Sequence, residues 1–189
     1  TLPIKFTDRQ ELFNLCNSRE HQGCVLEAGT FQYSAFADLL GEKKLLLLDN
    51  INDPHNIGAI TRSAEALGWQ NILLPRRGAP LILPSVVKAA AGACEFLQVA
   101  VNCSSNQYVK IALEEGYSIV SLDAKADIPI EEIAQQKLKK ILLVIGGESS
   151  GVSQFILNNS TYKIAIPQSG KINSLNASVA AALALYLLG

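Results

Sequence analysis

Net charge is what this chain most lacks. Sixteen lysines and arginines against seventeen aspartates and glutamates leave a formal charge of −1 over 189 residues. Nothing in that balance draws in nucleic acid or an anionic membrane. Any RNA or phosphate binding must come from a local patch, a second domain or a partner subunit. Histidine is nearly as scarce: His21 and His55 are the only two, and neither belongs to a metal-ligand set. The four cysteines, Cys16, Cys24, Cys94 and Cys103, include no CxxC pair and show no ligand spacing. They predict a reduced, cytoplasmic chain that binds no metal. No membrane span is expected, because the alanine-rich C-terminal stretch is interrupted and no other apolar run approaches the roughly 20 residues required. A secretory signal is lacking too, and the first residue is Thr1 rather than Met. That start is expected of a processed product or an excised fragment of a longer protein.

What is present is apolar. Hydrophobic residues make up 49% of the chain and charged residues 17%, which predicts a compact body with broad buried surfaces. Residues 1–22 are the most polar stretch and read as a linker, with one helix over Thr7 to Asn17 capped by Thr7. A short strand at Cys24 to Glu27 and a helix at Tyr33 to Leu40 precede the first strand of the core, Leu45 to Leu48. Further apolar runs at Ile72 to Leu74, Phe96 to Val101, Ser118 to Leu122, Ile141 to Ile145 and Tyr162 to Ile166 predict strands. Between them, helices are expected at Ile57 to Leu67, Pro84 to Ala91, Gln107 to Glu115, Ile130 to Lys137 and Val152 to Leu157. Strands without clean alternation, spaced by helices, predict an α/β fold with a mostly parallel sheet flanked by helices. The last segment, Asn176 to Leu188, carries no charge. A helix apolar on every side must be covered on every side, by its own chain or by a second copy.

Three polar turns follow three of these strands. Asp53, His55, Asn56, Arg62 and Glu65 gather after the first. A guanidinium less than two turns from an amide suits a phosphate or a ribose hydroxyl; alternatively, Asn56 caps the helix and Arg62 pairs with Asp53 or Glu65. Gly146, Gly147, Glu148, Ser149, Ser150 and Gly151 form the second turn, where glycines admit a ligand close to the backbone, or Glu148 caps a helix. This is neither GxGxxG nor a Walker loop, so a dinucleotide or triphosphate is poorly supported. The third turn, Ile166 to Asn176, leads into the uncharged helix, and capping explains Ser174 or Asn176 but not the whole cluster. Gly147 to Gly151 also fits G-x-S-x-G around Ser149, yet no histidine follows the serine, which argues against an acyl-transfer triad. Arg76, Arg77, Lys88, Lys125, Lys137, Lys139 and Lys140 either touch phosphates or form a solvated face.

Taken together, the three turns resemble the motifs of the SpoU (TrmH-type) branch of the SPOUT RNA methyltransferases. Asp53, Pro54, Asn56, Gly58, Arg62 and Ala64 match the first motif, and Gly146, Glu148 and Gly151 the second. Ile166, Pro167, Gly170, Ser174, Leu175, Asn176, Ser178, Val179 and Ala180 match the third. Gln168 and Ala177 depart from residues common in relatives, as do Ser149 and Ser150 in the second turn. His21 to Gly23 further resembles the junction in RlmB-type guanosine methyltransferases of large-subunit rRNA. The resemblance implies a deep C-terminal trefoil knot, a homodimer formed through the C-terminal helix region, and S-adenosylmethionine as cofactor. The implied reaction is methyl transfer to a ribose 2′-hydroxyl of rRNA or tRNA. By motif, Arg62, Asn56, Glu148, Ser174 and Asn176 would line the reaction site. Gly146, Gly147, Ile166, Gly170, Leu175 and Leu122 would hold the cofactor. Residues 23–189 would be the catalytic domain and 1–22 the end of a linker or of an RNA-binding domain.

Overall fold

The computed structural model describes residues 3–171 and 174–189 and divides into two units, Thr1–Gln32 and Tyr33–Gly189. The smaller unit carries one helix, α1 (Arg9–Cys16), with no buried residue. Asp8, not Thr7, caps it: its carboxylate accepts the Glu11 N–H at 2.8 Å. The Thr7 hydroxyl instead donates to the Glu11 carboxylate. The expected strand at Cys24 to Glu27 does not form. It pairs with no neighbouring strand, so its backbone groups have no ladder to join, and Leu26 stays exposed.

In the larger unit, α2 (Phe36–Leu39) leads into β1 (Lys44–Asp49), α3 (Pro54–Ala66), β2 (Asn71–Leu73) and α4 (Pro84–Ala90). Next come β3 (Gln98–Ala100), α5 (Ser105–Glu114), β4 (Ser118–Leu122), β5 (Ile128–Pro129) and α6 (Ile130–Ala134). The chain ends with β6 (Ile141–Gly146), α7 (Gln154–Asn159), β7 (Tyr162–Ala165) and α8 (Ala177–Leu187). The strands form one sheet in the order β3-β2-β1-β6-β4-β7-β5, and every pairing is parallel.

Several boundaries shift for local reasons. The helix expected from Tyr33 shortens to α2 because the Ser34 N–H bonds to the Val99 carbonyl at 2.9 Å, which pulls that residue into a bridge beside β3. Residues Ala93–Phe96 form a 3-10 turn, so β3 starts later than the apolar run suggests. The helix expected to reach Lys137 ends at Ala134, and Lys137 adopts φ 47°, outside the helical region.

Side chains alternate across the sheet. Leu45, Leu47, Leu73, Ile119, Leu142 and Val144 pack with Phe36, Leu39, Tyr108, Val109 and Ile156 in one core layer. On the opposite side, α3 packs on α4 and α8, and α8 also contacts α6 and β6. Burial on both faces explains why the strands read as unbroken apolar runs. The uncharged helix α8 is covered on one side only: Ala177, Ala181, Ala184 and Leu185 are buried, whereas Val179, Leu183 and Tyr186 are 48%, 40% and 71% exposed. Those three stand at i, i+4 and i+7, one stripe of the helix. Its buried side is anchored by fully buried Trp69, whose indole N–H donates to the Leu185 carbonyl at 3.0 Å.

Tyr108 ties the upper ends of β2 and β3. Its hydroxyl donates to the Leu74 carbonyl at 3.2 Å and accepts the Cys103 N–H at 3.3 Å, and burial pushes its pKa up to about 12. The neutral phenol is therefore favoured by folding. Its contribution is complete below the ordinary tyrosine value near 10 and is lost as pH rises from there toward about 12. Tyr108→Phe should cost about 1–3 kcal/mol at neutral pH, since both partners lose a bond. The same variant should lose less additional stability than the parent between pH 10 and 12, as measured by urea unfolding at each pH.

Candidate functional site

Parallel strands bring all their C-terminal ends to one edge, the edge at which open α/β sheets place ligands. The three polar turns emerge there, because Asp49 of β1 lies opposite Gly146 of β6, and β7 is separated from β6 only by β4.

The first turn starts α3. Asp53 takes the cap position by accepting the His55 N–H at 2.9 Å, and Pro54 fills the first helical position, where its missing N–H costs nothing. Asn56 is thereby not the cap but lies within the first turn of the helix. Its side-chain amide is free to cross to the second turn, donating from Nδ2 to Glu148 Oε1 at 3.2 Å. In the third turn Asn176 caps α8, its Oδ1 accepting both the backbone N–H of Ser178 at 2.9 Å and the Ser178 hydroxyl at 2.6 Å. The Asn176 Nδ2 donates to Glu148 Oε1 at 2.5 Å and to Asn56 Oδ1 at 3.1 Å. Glu148 therefore does not cap a helix; it is the shared acceptor of two amides separated from it by 92 and 28 residues.

The glycines around Glu148 have a packing reason. A Cβ on Gly147 would stand 2.0 Å from the Asn50 carbonyl oxygen, and one on Gly146 would stand 2.2 Å from the Gly151 carbonyl carbon. An antiparallel bridge between Gly147 and Gly151 closes the turn, with exposed Glu148, Ser149 and Ser150 at its tip.

The remaining expected side chains make no hydrogen bond to this cluster among the described residues. Arg62 is exposed on α3, about 9 Å of helical rise from Asn56. Among the described residues it makes no hydrogen bond or ion pair, so the pairing with Asp53 or Glu65 is not formed. Ser174 is exposed two residues before the α8 cap, and Leu175 is 36% exposed. Beyond the ends of β4 and β7 lies a cleft of about 450 Å³, lined by Ala124, Lys125, Ala165, Ile166, Gln168 and Gly170 among others. Ile166 and Gly170 were expected at a cofactor site. Ala124 and Lys125 were not; Lys125 was expected only to touch phosphate or join a solvated face, and the signal for Ala124 is that it follows the strand ending at half-buried Leu122. A second cleft of about 350 Å³, lined by Gly41, Lys43, Lys44, Gln70 and Asn71 among others, sits where β1 and β2 begin and contains none of the expected residues. No group of three or more potential metal ligands occurs among the described residues. No described helix is long and apolar enough to cross a membrane.

The chain is 34% identical over 184 residues to an uncharacterized tRNA/rRNA methyltransferase of Mycobacterium sp. (strain KMS), a match spanning 94% of this chain and 58% of that relative. It is 33% identical over 192 residues to the putative TrmH family tRNA/rRNA methyltransferase YacO of Bacillus subtilis, covering 98% of this chain and 76% of YacO. Among solved structures, it superposes on the SpoU methyltransferase AviRb from Streptomyces viridochromogenes in complex with the cofactor AdoMet, with a TM-score of 0.68 and 29% identity. That match covers 76% of this chain and 56% of AviRb. The profile of the SpoU rRNA methylase family matches residues 43–186, a span that holds all three polar turns, and the chain therefore belongs to that family.

Proposed function

We propose that this chain is the catalytic domain of an S-adenosylmethionine-dependent RNA 2′-O-ribose methyltransferase, acting on a guanosine of large-subunit rRNA. The observation that carries the reading is the convergence of Asn56, Glu148 and Asn176 from three distant turns, with Arg62, unpaired among the described residues, on the helix that holds Asn56. The RNA target is favoured by the names of the relatives and the guanosine by the His21 to Gly23 resemblance.

The cleft beyond β4 and β7 fits the cofactor. Its volume of about 450 Å³ lies within the usual range of small-molecule sites. Of the expected cofactor contacts, Ile166 and Gly170 line the cleft, Leu122 ends β4, Gly146 and Gly147 stand at the end of β6, and Leu175 precedes α8. They offer backbone groups and apolar surface, and Lys125 adds a cation. Bound there, S-adenosylmethionine supplies an electrophilic methyl group on a sulfonium. The residues of the chain have the task of placing a ribose oxygen in line with it, and placement alone supplies much of such a rate.

Arg62 is suited to hold a substrate phosphate through its fork of donors and to polarise the adjacent hydroxyl. A guanidinium offers donors and no acceptor, so the hydroxyl proton passes to water or a neighbouring phosphate. The Asn176 amide is committed to Glu148, Asn56 and Ser178 and serves by orienting the other two. Asn56 keeps one N–H and one lone pair for substrate, and Ser174 stands exposed beside them.

The same reading includes the homodimer, the knot and a cytoplasmic setting. The exposed apolar stripe of α8 supports the first. The second is favoured by β7, which follows both β4 and β5 in the chain yet pairs with each of them. Four free thiols fit the third.

Calorimetry should detect about one S-adenosylmethionine site per chain, weakened by Gly146→Val. Arg62→Ala should retain that binding but lose roughly 10²-fold or more in methyl transfer to rRNA. Undiminished transfer with saturating cofactor would remove Arg62 from the mechanism, and transfer to tRNA in preference to rRNA would change the substrate. Leu183→Glu combined with Tyr186→Glu should convert a dimer to a monomer in sedimentation velocity. A monomeric parent protein would eliminate the proposed interface.

A further inference from the structure

We infer that Asp49 is the positioning residue that holds Glu148 in the site. Asp49 ends β1 and is 3% exposed. It grips both ends of the turn that carries Glu148. Its backbone carbonyl accepts the Gly147 N–H at 3.0 Å, and its carboxylate Oδ2 accepts the Ser153 N–H at 2.8 Å. The same Oδ2 accepts the side-chain amide of Asn50 at 3.2 Å, fixing the residue against whose carbonyl Gly147 packs.

The Ser153 carbonyl accepts the Leu157 N–H at 3.0 Å, but its side chain adds nothing. Ser153 occupies the cap position of α7 without a side-chain capping bond, and its buried hydroxyl has no hydrogen-bond partner among the described residues. The Ser153 N–H is therefore tied down by Asp49. Between the two gripped positions, the Glu148 side chain bonds outward to Asn56 and Asn176, its partners among the described residues. One buried carboxylate thus sets where a second, exposed carboxylate stands. A charged acceptor suits this role, because a carboxylate offers several lone pairs to donors arriving from different directions.

The catalytic meaning of this inference rests on the methyltransferase reading, but the geometry can be tested without it. In the full chain, the side-chain amide resonances of Asn56 and Asn176 report the bonds to Glu148, and Glu148→Ala supplies their values when those bonds are absent. Asp49→Leu keeps the volume and removes the acceptor, and it should move both resonances toward the Glu148→Ala positions. Asp49→Asn keeps an acceptor and should leave them near the parent positions. Ser153→Pro removes only the donor, at a residue whose φ of −62° already suits proline, and should act like Asp49→Leu.

If either Asp49→Leu or Ser153→Pro folds with both resonances unmoved, the inference is overturned. It is equally overturned if neither variant folds, since Asp49 would then be a residue of the fold and not of the site. On rRNA, Asp49→Leu should lower kcat by roughly 10²-fold, yet have little further effect in a Glu148→Ala background, where a merely structural role would remain additive. Resonance shifts in a parent protein that methylates no RNA would leave the clamp standing and reject the methyltransferase reading alone.

Discussion

The parallel register between β1 and β6 is the constraint on which the polar edge depends. Lys44 lies opposite Ile141 and the pairing runs without a bulge to Asp49 opposite Gly146. Both strands therefore end at one level, and the turns that leave them emerge side by side. The inner residues of both strands are buried, so a shift of one residue would turn leucines of one layer into the other and is strongly disfavoured. The apolar core thus does more than stabilise the sheet: by fixing register it fixes which residues face one another at the rim. Asp49 and Gly146 stand at the boundary, the last positions set by strand pairing and the first to shape the site.

Much of this was legible in the sequence, and the parts that were not have identifiable causes. Continuous apolar runs revealed every strand of the larger unit except β5, which has only two residues and offers no periodicity to detect. The α/β class with a parallel sheet follows from the same runs. The caps were harder. In the DPHN segment both Asp53 and Asn56 are good cap residues, and what separates them is Pro54, which favours the first helical position and so puts the cap on Asp53. For α1 the choice between Thr7 and Asp8 was settled by which side chain reaches the Glu11 N–H.

The site was legible as three polar turns at strand ends, and their meeting only through the family resemblance. Sequence order separates β1 widely from β6 and β7, and only the strand order sets β1 beside β6 and β7 one strand beyond β6. For α8, composition suggested a helix covered all round, whereas Trp69 and its neighbours cover one side. The other side, with Val179, Leu183 and Tyr186, is exposed, so the lack of charge did not say which side the chain itself covers.

Glu148 poses the remaining physical question, since a carboxylate beside a proposed phosphate contact would repel it. Its hydrogen bonds give the answer. An ionised carboxylate can only accept, so it orients the NH₂ groups of Asn56 and Asn176 toward itself. With Asn176 Oδ1 engaged by Ser178, that amide has no freedom to flip. The orientation then passes to Asn56, whose Oδ1 accepts from Asn176. The result is one amide of defined polarity, with a donor and an acceptor still available at the strand ends. Arg62 is unpaired by any acid among the described residues. Glu148 bonds neutral amides and not the cation, so under the proposed reading an anionic substrate would meet no salt bridge between Arg62 and Glu148.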